Sequence, residues 1–509
     1  MDITSFYFLC FFGITLLLYY ILPKKAQWAF LLLVSGLFFV TYGKPWLILY
    51  PILSTTVTFV GANLIERLEE QKRKKAVLSF VVVFQLVLLV VLKYLNFGVY
   101  THNAIMDVFH IGGQYWNRFR FMVPLGISFY TLSMIGFLCD VYWEISKPQR
   151  NFFKFALFGM YFPVMVSGPI IRYQDMEGQL YERHAFDYRK VTFGMQRILW
   201  GFFKKLVISE RLTVLVSTVY NDYEAYPGAY ILIATIAFAF RLYTDFSGCM
   251  DIVLGVSECL GITVAENFNT PFFSRTMQEF WRRWHITLGA WLKNYIFYPL
   301  LRTRFFMELP KKLKPRYGKK AAKQITTFAA MFILWFAIGL WHGGAWKYII
   351  GSGLLHWFYI VMGEILEPVW KKMRAFFHVK VESRGFIVFQ RVRTFLLASS
   401  GFLFFNSGGM RKAFAMYWSM FTTWNPQILW NGSLLNLGLD VVDLVIAVVS
   451  LGILFVVSCM QQKESVREWL AGKHLVIRWI LLYALLFYVI LLGNYGPGYS
   501  ASEFIYAGF

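Results

Sequence analysis

Twelve stretches of this sequence are apolar over a length close to the ~20 residues that an α-helix needs to cross a lipid bilayer. They are residues 3–22, 26–43, 46–65, 76–95, 122–142, 152–171, 229–250, 325–341, 345–366, 386–406, 440–460 and 475–493. Hydrophobic residues make up 58% of the 509 and charged residues only 15%, which excludes a water-soluble enzyme and a disordered chain. The sequence therefore predicts an all-α polytopic membrane protein, with one integral membrane domain over residues 1–509.

The stretches are not all expected to cross the bilayer as plain helices. Pro124, Pro163 and the Gly168-Pro169 pair interrupt two of them, which is typical of re-entrant or broken membrane helices. Residues 172–228 mix charged and apolar side chains, which indicates helices lying in the membrane interface. The first stretch has no basic residues before it and no small-x-small cleavage site before Pro23, so we expect it to be retained as a membrane helix.

The net charge of +22 would suggest a nucleic-acid partner in a soluble protein, but basic residues also collect in the cytoplasmic loops of polytopic proteins. No zinc knuckle, helix-turn-helix or aromatic-basic RNA motif occurs, so no nucleic acid is expected. The five cysteines form no CxxC pair, and we interpret them as buried small hydrophobes. They are Cys10, Cys139, Cys249, Cys259 and Cys459. Neither a disulfide framework nor a bound metal or cofactor is predicted.

Clusters of Lys and Arg indicate the orientation in the membrane. They are Lys24-Lys25 and segments 66–75, 302–323, 371–384 and 463–473. Segment 302–323 is the most basic, with nine Lys and Arg residues and one acid, Glu308. If every cluster is cytoplasmic, both termini and segment 407–438 are extracytoplasmic. The apolar stretches between the two largest clusters then form a hairpin that bends near His342 to Lys347.

The first candidate site lies in segment 279–288, EFWRRWHITL. If the segment is helical, one face carries Trp281, Trp284, His285, Leu288 and Leu292. Arg282 and Arg283 point elsewhere, and a histidine beside a diarginine suits an acyl or phosphate-bearing group. The alternative is an interfacial helix with tryptophan anchors and arginines that extend to the headgroups.

The second candidate site lies in segment 338–346, IGLWHGGAW, about 17 residues into an apolar helix. If that helix continues, Trp335, Gly339, His342 and Trp346 align, and Gly343-Gly344 can loosen it to admit a substrate chain. A neutral imidazole at this depth can take a proton from a hydroxyl nucleophile, as acyl transfer to a hydroxyl requires. The alternative is a core histidine bonded to a nearby carbonyl.

Other catalytic patterns are weak. The chain has no GxSxG, no HExxH and no glycine-rich phosphate loop. Segment 245–251, DFSGCMD, is polar for its position. Asp245 could belong to a cation or substrate site, but we favour a polar network within the helix bundle.

Six stretches, in order along nearly the whole chain, resemble the membrane-bound O-acyltransferase family. They are PLGISFYTLSMIGFLCDVY (124–142), YFPVMVSGPIIRY (161–173), DFSGCMDIVLGVSECLGI (245–262), the segment 266–300 that contains FWRRWH, GLWHGGAWKYIIGSGLLH (339–356) and YGPGYSASEFIY (495–506). The similarity is to the bacterial branch of alginate O-acetylases and peptidoglycan O-acetyltransferases, which is related to the D-alanyl transferase of teichoic acid synthesis. FWRRWH and GLWHG are its most specific motifs.

The resemblance implies a ring of about 11 transmembrane helices, with re-entrant and interfacial helices, around a central catalytic tunnel. It implies that His342 is the catalytic histidine and that His285 is the second family histidine, lining the tunnel. Candidate substrate or tunnel residues are Trp284, Trp341, Arg282, Arg283, Asp245 and Trp346. The chain departs from many relatives after Leu300, where 301–304 and a basic stretch replace a Gly-Gly-Asn-type loop. A donor-carrier contact at that loop is therefore in doubt.

The leading hypothesis is transfer of an acyl group, foremost acetyl from acetyl-CoA, from the cytoplasm to a cell-envelope or exported polysaccharide. An extracytoplasmic SGNH-type acetyltransferase or esterase would then be a partner. The first alternative is D-alanyl transfer to teichoic acid from an acyl-carrier protein. The alternative of another class is a non-catalytic transporter or flippase, which predicts paired charges along a path and a pseudo-repeat, and neither is found in the sequence.

Overall fold

A computed structural model describes residues 2–110, 115–495 and 504–505. The described residues are helical apart from turns and loops, and they contain no β-strand, only an isolated bridge between Phe268 and Trp284. The terminal stretch 495–506, which carries part of the family resemblance, lies mostly outside the described residues, as do the first and last residues of the chain.

The helices before the middle of the chain are α1 Phe6–Ile21, α2 Gln27–Tyr42, α3 Leu49–Arg67, α4 Gln71–Leu89, α5 Leu95–Phe109, α6 Ile127–Tyr142, α7 Phe152–Met160, α8 Phe162–Met165, α9 Tyr173–Tyr181, α10 Tyr188–Phe202 and α11 Glu210–Asn221. Those that follow are α12 Ala229–Cys259, α13 Met277–Arg283, α14 Ile286–Leu292, α15 Tyr298–Leu301, α16 Arg304–His342, α17 Leu355–Phe376, α18 Arg384–Asn406, α19 Met410–Thr422, α20 Val441–Gln461, α21 Val466–Ala471 and α22 Leu475–Leu492. Wider π-helical turns occupy Val90–Tyr94, Phe203–Ser209, Lys293–Phe297 and Tyr348–Leu354.

The apolar stretches of the sequence correspond to helices of the structure. Nine helical segments of the described chain are long and apolar enough to cross a membrane, and α1 and α6 are two shorter apolar helices. In α22, Val489 is the one buried residue, so the other large aliphatic and aromatic side chains of this helix face outward. An outward apolar surface of this kind requires lipid around it. The prediction of a polytopic all-α membrane protein is confirmed.

The stretch at 152–171 is broken, as its prolines predicted. α7 ends at Met160, and the short α8 begins at Phe162 with Pro163 in its first turn. Proline suits that position because the first N–H groups of a helix have no intrahelical acceptor. Residues 155–171, from the middle of α7 through the loop after α8, are all buried, so the broken segment contributes to a protein core.

Part of segment 172–228, which we expect to include interfacial helices, is buried inside the protein. Residues Phe203–Ser209 are all buried, and α11 continues this burial through Leu212, Leu215 and Val219. Lys204, Lys205 and Glu210 are buried with them. The apparent amphipathicity arises because these charged side chains bond to partners inside the protein, a possibility that local sequence does not reveal.

The described residues group into two compact units. The first contains described residues within 1–202, 249–266 and 504–505, and the second contains those within 203–248 and 267–495. In the first unit, Arg197 joins Asp251 at 3.0 Å and Glu266 at 2.6 Å, which ties α10 to the end of α12 and the segment after it. The single integral domain stays a prediction.

Close backbone packing in the second unit holds α16 against the turn Tyr348–Leu354. A Cβ atom added to Gly339 would lie 2.5 Å from Ile349 Cα, and one added to Gly353 would lie 2.4 Å from the carbonyl oxygen of Trp335. Only glycine allows two helical backbones to come this near. The end of α16, where His342 lies, is therefore fixed against the segment that follows it.

Candidate active site

The first histidine motif does not form one helix. α13 ends at Arg283 and α14 begins at Ile286, with His285 between them in the left-handed conformation at φ 48°. The shared helical face predicted for Trp281, Trp284, His285 and Leu288 is therefore wrong. The helix breaks because segment 267–269 pairs with the turn: the N–H of Asn269 donates to Arg283 O at 2.9 Å, and the N–H of Ile286 donates to Asn267 O at 3.0 Å.

Asn267 also contacts this turn through its side chain. Its Oδ1 accepts the backbone N–H of Thr287 at 3.1 Å and the hydroxyl of Thr287 at 3.0 Å. His285 Nδ1 lies 3.2 Å from the same oxygen. These contacts stabilise a backbone conformation that a non-glycine residue rarely adopts. His285 is thereby held in one position and is almost completely buried, with 2% of its surface exposed.

The second histidine is the last residue of α16. His342 is 3% exposed, and the chain turns at Gly343 before the helical turn that starts at Tyr348. The predicted loosening at Gly343-Gly344 occurs, because the helix ends there. Lys347 anchors the turn, since its Nζ donates to the carbonyl of Ser407 at 2.6 Å and of Phe405 at 3.1 Å, at the end of α18.

Trp341 brings the two histidines together. Its ring centroid lies 5.4 Å from that of His285 and 5.2 Å from that of His342. Trp341 is 5% exposed, so the three rings form a buried group from two motifs that are far apart in the sequence. Phe246 packs on His285 at 4.9 Å and Phe405 packs on His342 at 5.7 Å, which encloses the group in aromatic side chains.

The surroundings of His285 favour a neutral ring. Burial lowers the pKa of His285 well below its usual value, and the nearby His342 lowers that pKa further. The first cause is the loss of water around the charged form, and the second is repulsion between two positive rings. A neutral imidazole keeps one nitrogen lone pair, which is the property needed to accept a hydrogen bond or a proton.

The remaining candidates of the first motif have different surroundings. Trp284 is 1% exposed and packs among the rings of Phe268, Phe280 and Phe402. Arg283 is half-buried, pairs with Glu279 at 2.7 Å and donates to Thr270 at 3.3 Å, so it links α13 to the preceding turn. Arg282 is exposed. Trp284 and Arg283 therefore pack and bond around the turn at His285 and support it.

Trp346 lies beyond the end of the helix that carries His342. The helix ends at His342, and Trp346 is 44% exposed. The predicted alignment of Trp346 with His342 on one continued helix is therefore wrong. Trp335 and Gly339, which precede the break, are buried on the same helix as His342.

Asp245 lies in the polar network that we favoured. Its Oδ1 is 2.7 Å from Lys205 Nζ, and Lys205 also pairs with Glu210 at 2.8 Å. Lys204 Nζ donates to Ser247 Oγ at 2.8 Å beside them. Opposite charges compensate one another here, as burial of ionised side chains requires. The pairing does not by itself assign a substrate to Asp245.

The five cysteines differ in how deeply they are buried. Cys249 and Cys259 are buried, Cys139 and Cys459 are half-buried, and all five are free thiols. Cys10 is exposed, so the prediction of burial is wrong for it, because α1 presents that side to the surroundings of the protein. In the first unit, the Sγ of Cys249 lies 2.8 Å from Ser167 Oγ, which is a hydrogen-bonding distance for a thiol and a hydroxyl.

Sequence reasoning missed two buried polar residues of the second unit, Asn267 and His356. Asn267 lies 18 positions before His285, and its spacing gives no local signal for the contact. His356 is completely buried, with its ring centroid 4.8 Å from that of Trp281. It ends the stretch 339–356 that carried the resemblance, which was the available signal for it.

Comparisons with known proteins show which family this chain resembles. The family model of MBOAT, the membrane-bound O-acyltransferase family, matches residues 144–399, which include both histidines. A probable alginate O-acetylase of Pseudomonas aeruginosa is 30% identical over 440 residues, which are 86% of this chain and 78% of the relative. The peptidoglycan O-acetyltransferase of Helicobacter pylori is 26% identical over 69% of this chain and 68% of its own length. The teichoic acid D-alanyltransferase of Bacillus subtilis is 30% identical over 46% of this chain and 56% of its own length.

Proposed function

This chain belongs to the membrane-bound O-acyltransferase family, and on that premise we propose that it moves an acetyl group from a cytoplasmic thioester to a hydroxyl of an exported or cell-envelope polysaccharide. The protein is a multi-pass membrane O-acyltransferase. One observation carries the proposed chemistry. His285 and His342 both pack against the ring of Trp341, and the three rings form one buried group.

In the proposed reaction, His342 is the general base. The hydroxyl oxygen of the acceptor attacks the thioester carbonyl while His342 takes the hydroxyl proton. The C–S bond then breaks, the new ester leaves with the acceptor, and the departing thiolate takes the proton from His342. The products are an acetate ester and a free thiol. Burial supports this role because a water-filled site would allow hydrolysis of the thioester.

The enclosure by aromatic rings has a second consequence. Trp341 fixes the separation of the two histidines, and Phe246 and Phe405 limit the positions that each ring can adopt. A base held in this way needs less reorganisation when the hydroxyl arrives, and correct placement of reacting groups supplies a large part of enzymatic rate enhancement. We assign His285 to placement of the substrate beside His342.

The donor that fits best is acetyl-CoA. Its phosphates suit the basic segment 302–323, where all nine Lys and Arg residues are exposed, between Arg302 and Lys323. This part of the proposal puts that segment on the cytoplasmic side of the bacterial cytoplasmic membrane, with both termini on the opposite side. A helix begins at Arg304 here, so a donor-carrier contact is not carried over from relatives with a different loop.

The proposed acceptor follows from the names of the relatives. The curated relatives that span most of this chain are named for O-acetylation of alginate and of peptidoglycan. A polysaccharide hydroxyl is therefore the proposed final acceptor, reached directly or through an extracytoplasmic SGNH-type partner. D-alanyl transfer to teichoic acid from a carrier protein is the remaining alternative, and its relative matches a smaller share of the chain.

The deciding experiment compares His342→Gln with His378→Asn in cells that carry the gene as their only copy. His378 is exposed and has no place in the histidine group. His342→Gln should lower ester-linked acetate on the polymer by about 10²–10⁴-fold, the usual effect of losing a general base. His378→Asn should leave it unchanged. His285→Asn should be milder than His342→Gln.

Two results would contradict the proposal. The first is a normal acetate level in His342→Gln at normal protein abundance, which would remove His342 as the base. The second is ester-linked D-alanine, with no acetate, on the polymer of wild-type cells, which would replace the acyl group. Mass spectrometry of the acid released by mild alkali separates these acyl groups.

A further inference from the structure

We propose that Asn267 holds His285 in the tautomer with the proton on Nδ1, so that Nε2 accepts a hydrogen bond from a hydroxyl of the acceptor. The tautomer of His285 is inferred from hydrogen bonds alone and does not depend on the reaction. The assignment of an acceptor hydroxyl to Nε2 rests on the proposed function. Asn267 is a positioning residue in this account, since it acts through His285.

The orientation of the Asn267 amide follows from its partners. The backbone N–H of Thr287 is only a donor, and it lies 3.1 Å from the side-chain atom assigned as Oδ1. That atom must be the oxygen, because an amide NH2 group in its place would set two donors against each other. The hydroxyl of Thr287, at 3.0 Å, can donate to the same oxygen.

The protonation of His285 follows from the orientation of Asn267. His285 Nδ1 lies 3.2 Å from Asn267 Oδ1, which is an acceptor and has no proton to give. Nδ1 must therefore carry the hydrogen. A neutral imidazole has one N–H, so the lone pair of the ring is on Nε2. This tautomer is set by a residue 18 positions away, and the backbone contacts of the same residue set the turn.

Several contacts keep the ring in this geometry. His285 has a left-handed backbone, which is supported by the bond from the N–H of Ile286 to Asn267 O at 3.0 Å. Phe268 and Trp284 form a bridge beside it, and Phe246 packs edge-on against the imidazole at 4.9 Å. The ring has little freedom to flip and exchange its two nitrogens.

The tautomer restricts what His285 can do in acyl transfer. A nitrogen that holds a lone pair accepts a hydrogen bond, so Nε2 cannot donate to the thioester carbonyl or stabilise its oxyanion. It can bind a group that donates, and the hydroxyl-rich acceptor supplies such groups while the carbonyl and thioester sulfur of the donor do not. The inference is that His285 recognises the acceptor and has no direct contact with the acetyl group.

The tautomer can be tested without measuring activity. The purified protein is labelled with ¹⁵N-histidine and studied by solid-state NMR in lipid bilayers, and His285→Asn identifies the signals of His285. Asparagine suits this position because it tolerates the left-handed backbone. Wild type should show a protonated Nδ1 and an unprotonated Nε2 at neutral pH. Asn267→Asp, which keeps an acceptor, should retain the protonated Nδ1. A protonated Nε2 with a bare Nδ1 in wild type would overturn the proposal.

The role is tested by kinetics in native membranes with radiolabelled acetyl-CoA as donor and the membrane's own polymer as acceptor. Asn267→Leu should slow transfer by about 10²-fold or more, because a wrong histidine tautomer costs up to ~10⁴-fold in a catalytic triad. Asn267→Asp should recover much of the rate. The KM for acetyl-CoA should stay unchanged in Asn267→Asp and His285→Asn, since neither residue binds the donor. A several-fold rise in that KM would contradict acceptor recognition.

A double variant separates positioning from general folding. If Asn267 acts through His285, then Asn267→Leu combined with His285→Asn should be no slower than His285→Asn alone. Losses that multiply would show that Asn267 has an independent role and would refute the inference. Transfer at the wild-type rate in His342→Gln would instead reject the proposed base, and it would leave the NMR result for His285 intact.

Discussion

Lys205 Nζ lies 2.7 Å from Asp245 Oδ1 in a pair whose side chains are 0% and 1% exposed, respectively. Lys205 also pairs with Glu210 at 2.8 Å, so one lysine serves two buried carboxylates. Removing a charge from such a group leaves another without compensation, and the cost is far larger than for a surface pair. The network should therefore determine whether this part of the second unit folds.

The first prediction concerns the order of effects within this network. Lys205→Met should lower the free energy of unfolding more than Asp245→Asn, because it leaves two buried carboxylates while the second change leaves Lys205 paired with Glu210. Breaking a buried pair costs about 3–5 kcal/mol. Glu308→Gln is the control, since its pair with Arg304 is exposed and worth about 0–1 kcal/mol. Thermal unfolding in detergent measures all three. Equal midpoints for Lys205→Met and Glu308→Gln would contradict the assignment.

The second prediction tests the close contact of α16 with the segment after His342. Gly339→Ala should destabilise the protein, because the added Cβ would lie 2.5 Å from Ile349 Cα and 2.8 Å from the carbonyl oxygen of Tyr348. Overpacking of this kind costs about 1–3 kcal/mol. Gly363→Ala is the matched control, since its Cβ would have nothing within 4 Å. The fraction of protein that stays monodisperse after brief heating measures the difference. If Gly339→Ala lost no more monodisperse protein than Gly363→Ala, the close contact would be refuted.

The third prediction concerns pH and follows from the lowered pKa of His285. The unfolded chain binds a proton at this histidine below its usual pKa of ~6.5, whereas the folded protein does not. The contribution of His285 to stability is thus complete above ~6.5 and is lost as the pH falls below it. His285→Asn should flatten the fall in unfolding temperature between about pH 7.5 and about pH 5. His378→Asn, at another left-handed position but exposed, should leave the slope unchanged.

The sequence predicted the elements whose signals are local. Long apolar runs correspond to the helices, and Pro163 and Gly343 mark interruptions that the structure contains. The two histidines were identified from motifs, and the structure brings both against Trp341. These features depend on neighbouring residues along the chain, so a single sequence is enough to locate them.

The features that sequence reasoning missed depend on distant partners. FWRRWHITL has the spacing of a helix, and the break at His285 is imposed by hydrogen bonds that Asn267 accepts from the turn. Lys205 has the appearance of an interfacial charge until Asp245, 40 positions later, is seen to pair with it. Neither partner has a periodic relation to its target, so only the fold reveals these contacts.

The fourth prediction tests orientation in the membrane. In a cysteine-free background, Lys314→Cys should not react with an impermeant maleimide added to intact cells, because segment 302–323 is expected in the cytoplasm. Trp430→Cys should react, since Trp430 is 72% exposed in the segment 407–438 expected outside. Permeabilised cells provide the control, in which both positions should be labelled. Labelling of Lys314→Cys in intact cells would reverse the topology.

The fifth prediction is that transfer proceeds without an acyl-cysteine. A covalent route needs a thiol that an adjacent base activates, and none of the five cysteines lies near a histidine in the sequence. Replacing all five cysteines by alanine should therefore preserve the acetate content of the polymer. The single variant Cys249→Ala controls for packing at a completely buried cysteine. A stable but inactive cysteine-free protein, or an acetyl-thioester found on Cys249 by mass spectrometry, would replace direct transfer by a two-step mechanism in which His342 activates a thiol first.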